Sequence, residues 1–94
     1  MRKAARVDAN QEQVVSALRG MGATVQSLAA TGKGVPDLLV GYRSKNYLLE
    51  VKDGAKPPSE RRLTPDQEIW HGAWKGTVHV VNTPTEAVKV ILEV

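Results

Sequence analysis

Apolar residues recur along this chain in two periods, and the alternation between them outlines seven elements. Val14, Val15, Leu18 and Met21 repeat at helical spacing. Asp8 or Asn10 is the candidate cap of this helix, Gln11 or Gln13 takes the capping-box position, and Gly20 and Gly22 form the stop. Thr24 to Ala29 reads as a short strand. Gly34 to Gly41 and Tyr47 to Lys52 are runs of branched apolar residues bounded by Gly, Pro, Ser or Asn. They predict a hairpin with a polar turn over 42–46.

Thr64-Pro65-Asp66-Gln67 opens a second helix with a threonine cap, a proline in the first turn and a glutamine at the capping-box position. Ile69, Trp70, Ala73 and Trp74 form its apolar face, Gly76 closes it, and the two tryptophans are expected in the core. Thr77 to Asn82 alternates as a strand, with Val78 and Val80 on one face and His79 on the other. Thr83-Pro84-Thr85-Glu86 repeats the cap-proline-acid start, and Ala87, Val88, Ile91 and Leu92 stripe a last helix. The order αβββαβα predicts a small mixed sheet flanked by helices, an α/β layer fold in one domain over 1–94.

Composition narrows the function classes. With 94 residues, 41% hydrophobic content and only 4% aromatic, the core is built of Val, Leu, Ile and Ala, and disorder is excluded. Cysteine is absent, which excludes disulfides, thiolate zinc sites and a cysteine nucleophile and fits a reducing, cytoplasmic setting. No apolar run approaches the ~20 residues of a membrane span, and no signal-peptide core is expected at the start. The net charge of +3 permits a polyanionic partner without demanding one. Arg2, Lys3 and Arg6 read as a solvated basic terminus or a phosphate contact.

The candidate chemistry sits in the hairpin. Side chains alternate along a strand, so Glu50 and Lys52 point one way and Val51 the other. Antiparallel pairing brings Asp37, at the head of the first strand, beside them. Two carboxylates and an ammonium at one sheet end are costly unless something uses them. Hard oxygen ligands suit Mg²⁺ or Mn²⁺, and a nearby lysine can orient water or steady charge on phosphorus. The plain alternative is a salt-bridged strand end. Gly32-Lys33-Gly34 opens directly onto Pro36-Asp37, and Lys33 is a candidate phosphate contact beside a plain turn. The irregular segment 53–62 carries Lys56, Arg61 and Arg62, candidates for a nucleic-acid clamp or a solvated charge run. His71, with no second His or Cys at ligand spacing, reads as a surface or partly buried ring.

Pro36-Asp37 followed by Glu50-Val51-Lys52 resembles the PD-(D/E)XK nuclease signature. Gly32 to Gly41 and Leu63-Thr64-Pro65-Asp66-Gln67 are similar to the VRR-NUC branch of that superfamily. The resemblance implies a restriction-endonuclease-like core and metal-dependent hydrolysis of DNA phosphodiesters. Asp37 and Glu50 would be ligands of Mg²⁺ or Mn²⁺, the Val51 carbonyl a third ligand, and Lys52 the catalytic cation. Gln67 gains a second role as a polar neighbour of the active site, beside its capping role. Similar nucleases carry a glutamate on the first helix near the metal. The matching position on the apolar stripe is Gln11, a departure from the pattern, with a capping amide as its other reading. Glu12 has the chemistry but the wrong face. The resemblance further implies a homodimer cutting opposed strands of branched DNA such as a Holliday junction, with the two-tryptophan helix as a possible buried patch. A catalytically silent nucleic-acid-binding module of the same fold is the alternative.

Overall fold

A computed structural model describes residues 9–94. Its elements are α1 (Ala9–Gly20), β1 (Thr24–Ser27), β2 (Leu38–Tyr42), β3 (Lys45–Val51), α2 (Pro65–Ala73), β4 (Val78–Val81) and α3 (Pro84–Leu92), with 3-10 turns at Ala29–Thr31 and Pro58–Glu60. The element order is the predicted one. The first strand is shorter than Thr24 to Ala29, because its last residues wind into the 3-10 turn. The expected basic terminus at Arg2, Lys3 and Arg6 and the Asp8 cap lie outside the described residues.

The four strands form one sheet in the order β1-β2-β3-β4. β1, β2 and β3 are antiparallel neighbours, and β4 runs parallel to β3, with Val51 opposite Val81. The connection from β3 to β4 therefore has to cross over, and α2 is part of it. The hairpin turn is tighter than predicted. Tyr42 pairs with Lys45, leaving only Arg43 and Ser44 in the loop, with φ of 51° and 66°. Two positive φ values mark a turn of type I′ hand, whose twist matches that of the strands it joins.

One face of the sheet carries the core. Leu38 and Val40 on β2, Leu49 and Val51 on β3, and Val81 on β4 share that face. They pack with Val14 and Leu18 of α1 and Ala87 and Ile91 of α3. On β4 the inward residue is thus Val81, in phase with His79, while Val80 on the other face is exposed. Asn10 is not a cap. It lies in the first described turn of α1, where its Nδ2 donates to the Lys52 carbonyl at 2.6 Å and the Asn82 carbonyl at 3.3 Å. That contact ties the ends of β3 and β4 to α1.

The threonine-capped starts are as the sequence predicted. Thr64 accepts from the Gln67 N–H while the Gln67 side chain accepts from the Thr64 N–H, and Thr83 accepts from the Glu86 N–H. The tryptophans depart from expectation. No residue of α2 is buried; Ile69 is 71% and Trp74 47% exposed. Trp70 and Trp74 stack on each other, with ring centroids 4.7 Å apart, instead of entering the core. The reason lies in the rotation of the helix. The partly buried residues of α2 are Gln67, Trp70 and His71, so the inward stripe is turned away from Ile69 and Ala73.

Candidate active site

The hairpin brings Asp37 to the end of β3, as the alternation of the strands requires. Leu38 pairs with Leu49, and continuing that register sets Asp37 opposite Glu50 and Pro36 opposite Val51. Proline has no N–H to donate, so the ladder stops there. The Asp37 carboxylate takes over: its Oδ2 accepts from the Val51 N–H at 2.7 Å. In an extended strand, N–H and C=O of one residue face the same neighbour. The Val51 carbonyl therefore lies along the strand edge that Asp37 occupies.

Glu50 is the centre of the cluster. It is 1% exposed and is the buried charged residue among those described. Its Oε2 accepts from Gln67 Nε2 at 3.1 Å and lies 3.9 Å from Lys52 Nζ. Lys52 Nζ in turn donates to Gln67 Oε1 at 2.7 Å, and the same oxygen accepts from the Thr64 N–H at 2.9 Å. Gln67 thus performs both roles that its sequence context allowed. It caps α2, and it bridges Glu50 to Lys52. Burial pushes the Glu50 carboxyl up to about 8, helped by a hydrogen bond to Asp37 and by the Asp37 charge, while Lys52 pulls the other way. Without a cation, then, the Glu50 carboxyl keeps its proton near neutral pH.

His71 is the partly buried ring that its sequence context allowed, and the fold brings it to Glu50. Its side chain is 12% exposed, and its Nε2 stands 3.6 Å from Glu50 Oε1. Both atoms are buried without a hydrogen-bond partner. Burial, and then the charge of Lys52, lower the His71 pKa, with Asp37 acting in the opposite sense, so the ring is neutral around pH 7. The usable signal was the four-residue step from Gln67 to His71, which puts both side chains on one helical face.

What holds α2 over Glu50 is a close backbone approach. Gly34, at φ +82°, lies against the Asp66 carbonyl and the Gln67 N–H, where a Cβ would overlap them. The glycine-rich loop therefore serves packing at Gly34. Lys33 itself is exposed with φ 59° in the same loop. Lys56 and Arg62 are exposed, and Arg61 is half-buried with an unpartnered Nε. All three belong to the segment that leaves Lys52 and returns at Thr64. Gln11 lines a groove between α1 and β1 with Val15, Ser27 and Leu38, and Glu12 on the same groove is exposed.

The donor set suits a divalent cation. A buried carboxylate oxygen without a partner is what such an ion would satisfy, and a second carboxylate and a neutral imidazole stand beside it. Among the described residues, no three His, Cys, Asp or Glu side chains already converge on one point, so water or substrate oxygens would complete the shell. No helix among the described residues is long and apolar enough to cross a membrane. No family model, curated protein or solved structure matches the chain.

Proposed function

We propose that this protein is a metal-dependent endonuclease of the PD-(D/E)XK type, VRR-NUC-like, that hydrolyses phosphodiester bonds in DNA. The observation that carries the reading is Glu50. It is buried at a strand end between Asp37, Lys52 and Gln67. The reading is favoured over a salt-bridged strand end by the long 3.9 Å Glu50–Lys52 contact and by the unpartnered Glu50 Oε1. The antiparallel β1-β2-β3 meander, followed by a helix and a parallel β4, supports a restriction-endonuclease-like core.

Asp37, Glu50 and the Val51 carbonyl would hold Mg²⁺ or Mn²⁺, which when bound supplies Lewis acidity and a water of lowered pKa. Lys52, whose Nζ donates to Gln67 Oε1, would orient the attacking water or steady the charge on the phosphoryl oxygens. Gln67, locked by its capping bonds, fixes the rotamers of both Glu50 and Lys52. Lys33, Lys56, Arg61 and Arg62 contact the DNA backbone from the two loops that frame the cluster. The surface of α2 formed by exposed Ile69 and Trp74, with half-buried Trp70 stacked on Trp74, serves as the interface of a homodimer whose paired sites cut opposed strands of branched DNA.

The test is nicking of labelled linear duplex and four-way-junction DNA with Mn²⁺ present, together with sedimentation equilibrium. Metal-dependent cleavage, abolished in Asp37→Ala and Glu50→Ala, is expected, as is a dimer mass. DNA binding without any cleavage would leave the silent-module reading, which the uncharged Gln11 favours. A monomer mass at tens of micromolar protein, or equal rates on the two substrates, removes the paired-site part.

A further inference from the structure

We infer that His71 is itself a ligand of the divalent cation, and that the site it completes with Glu50 selects a first-row transition-metal ion such as Mn²⁺ over Mg²⁺. The inference rests on the cation site proposed above and adds to it a ligand and a metal preference.

The argument is one of distance and unmet valence. His71 Nε2 and Glu50 Oε1 face each other at 3.6 Å, both buried, neither with a hydrogen-bond partner. A direct N–H to O bond needs about 2.7–3.2 Å, so the pair is too far apart for one. A bridging water, bonded to each at about 2.8 Å with an open angle, would separate them by roughly 4.6 Å, so they are too close for that. Two donors on one cation, with bonds near 2.1 Å, stand about 3.0 Å apart at a right angle and about 3.4 Å at a tetrahedral one. The observed gap lies just beyond that span, within the reach of a small side-chain adjustment.

The other Glu50 oxygen already accepts from Gln67 Nε2. That leaves Oε1, the one aimed at His71, as the oxygen for metal. α2 therefore brings two neighbouring functions from one face. Gln67 orients the carboxylate, and His71, four residues on, shares its cation. The chemical consequence follows from ligand type. Mg²⁺ prefers an all-oxygen shell, whereas imidazole raises affinity for Mn²⁺, Co²⁺ and Zn²⁺ in increasing order of nitrogen preference.

The experiment is Mn²⁺ binding to the metal-free full chain, read by calorimetry and by pulsed electron paramagnetic resonance for coupling of the ion to a ligand nitrogen. Wild type is expected to bind Mn²⁺ more tightly than Mg²⁺ and to show histidine-nitrogen coupling, shifted by labelling histidine with ¹⁵N. His71→Gln should lose the coupling. It should also weaken Mn²⁺ binding by at least the roughly 10–100-fold that losing an outer-shell partner costs, while changing Mg²⁺ binding less. His79→Gln should keep both, since the chain has 2 histidines and this one lies on β4. If His71→Gln fails to fold, the ¹⁵N shift in wild type decides alone. Mn²⁺ bound without nitrogen coupling overturns the role of His71 and leaves the carboxylate site standing. No binding of Mn²⁺ by wild type overturns both. Nitrogen-coupled Mn²⁺ in a protein that cuts no DNA supports the ligand and removes the nuclease.

Discussion

The two faces of the sheet are held together by different physics. On one, α1 and α3 meet Leu38, Val40, Leu49, Val51 and Val81 mainly through apolar contact, with Asn10 of α1 bonded to the ends of β3 and β4, and Val14, Leu18 and Ala87 lose all exposure. On the other, α2 buries no residue and is fastened at one corner by Gln67 to Glu50 and Lys52 and by the backbone contact at Gly34. The first face stabilises the fold. The second stabilises little, since its central contact is a buried carboxylate that must keep a proton. The α2 side chains turned to that carboxylate are Gln67 and His71.

Substitutions on the two faces should therefore separate stability from activity. The largest effect is expected for Asp37→Ala and Glu50→Ala, each lowering cleavage by about a thousandfold or more while the protein still folds. Leu18→Ala, on the covered face, should do the reverse. It should cost roughly 2–5 kcal/mol of unfolding free energy and leave cleavage per folded molecule unchanged. Cleavage assays beside chemical denaturation read both. A Glu50→Ala protein that turns over normally would erase the distinction.

The second test uses pH. The Glu50 carboxyl sits at about 8 when folded, against an ordinary 4.5. Below about pH 4.5 both states carry the proton and Glu50 costs nothing. As pH rises toward 8 the unfolded chain ionises and the folded one does not. Stability of the metal-free protein should thus be fully present at low pH and fall through this window, by on the order of 4 kcal/mol. Glu50→Gln should flatten this decline, and saturating Mn²⁺ should reverse it, because the ion favours the ionised carboxylate. A metal-free wild type as stable at pH 8 as at pH 5 would show that Glu50 is not held protonated.

Smaller effects probe the fastening of α2. Lys52→Ala should lose about a hundredfold in rate and keep Mn²⁺ binding, since the ammonium is not a ligand. Gly34→Ala should lose a similar factor through displacement of Gln67 and also lower the melting temperature, since φ of +82° strains an alanine and its Cβ would overlap the Asp66 backbone. An unchanged rate in Gly34→Ala would mean that α2 reaches its position without that contact. The smallest effect is electrostatic. Neutralising Lys56, Arg61 and Arg62 together should weaken DNA binding evenly across sequences. It should also flatten the salt dependence by up to about three units of slope on a duplex. An unaltered slope would show that the segment does not touch the backbone.

Alternating strands, threonine-capped helix starts and the Asp37…Glu50-x-Lys52 spacing were all legible in the residues, because each rests on contacts a few positions apart or on the period of a single element. The hairpin register followed from them, and with it the meeting of Asp37 and Glu50. What the residues alone left open was the rotation of α2. Its composition pointed Ile69, Trp70, Ala73 and Trp74 inward, and only the fold turned Gln67, Trp70 and His71 toward the sheet. The reason is that a nine-residue helix with no buried side chain takes its orientation from polar partners 15 and 17 residues away, at Lys52 and Glu50, and from the fit of Gly34. For the same reason Asn10 read as a cap although it reaches Lys52 and Asn82, 42 and 72 positions away. Local periodicity determines which elements form; the unmet hydrogen-bonding capacity of a buried carboxylate, a property of the assembled sheet, decides what is gathered around it.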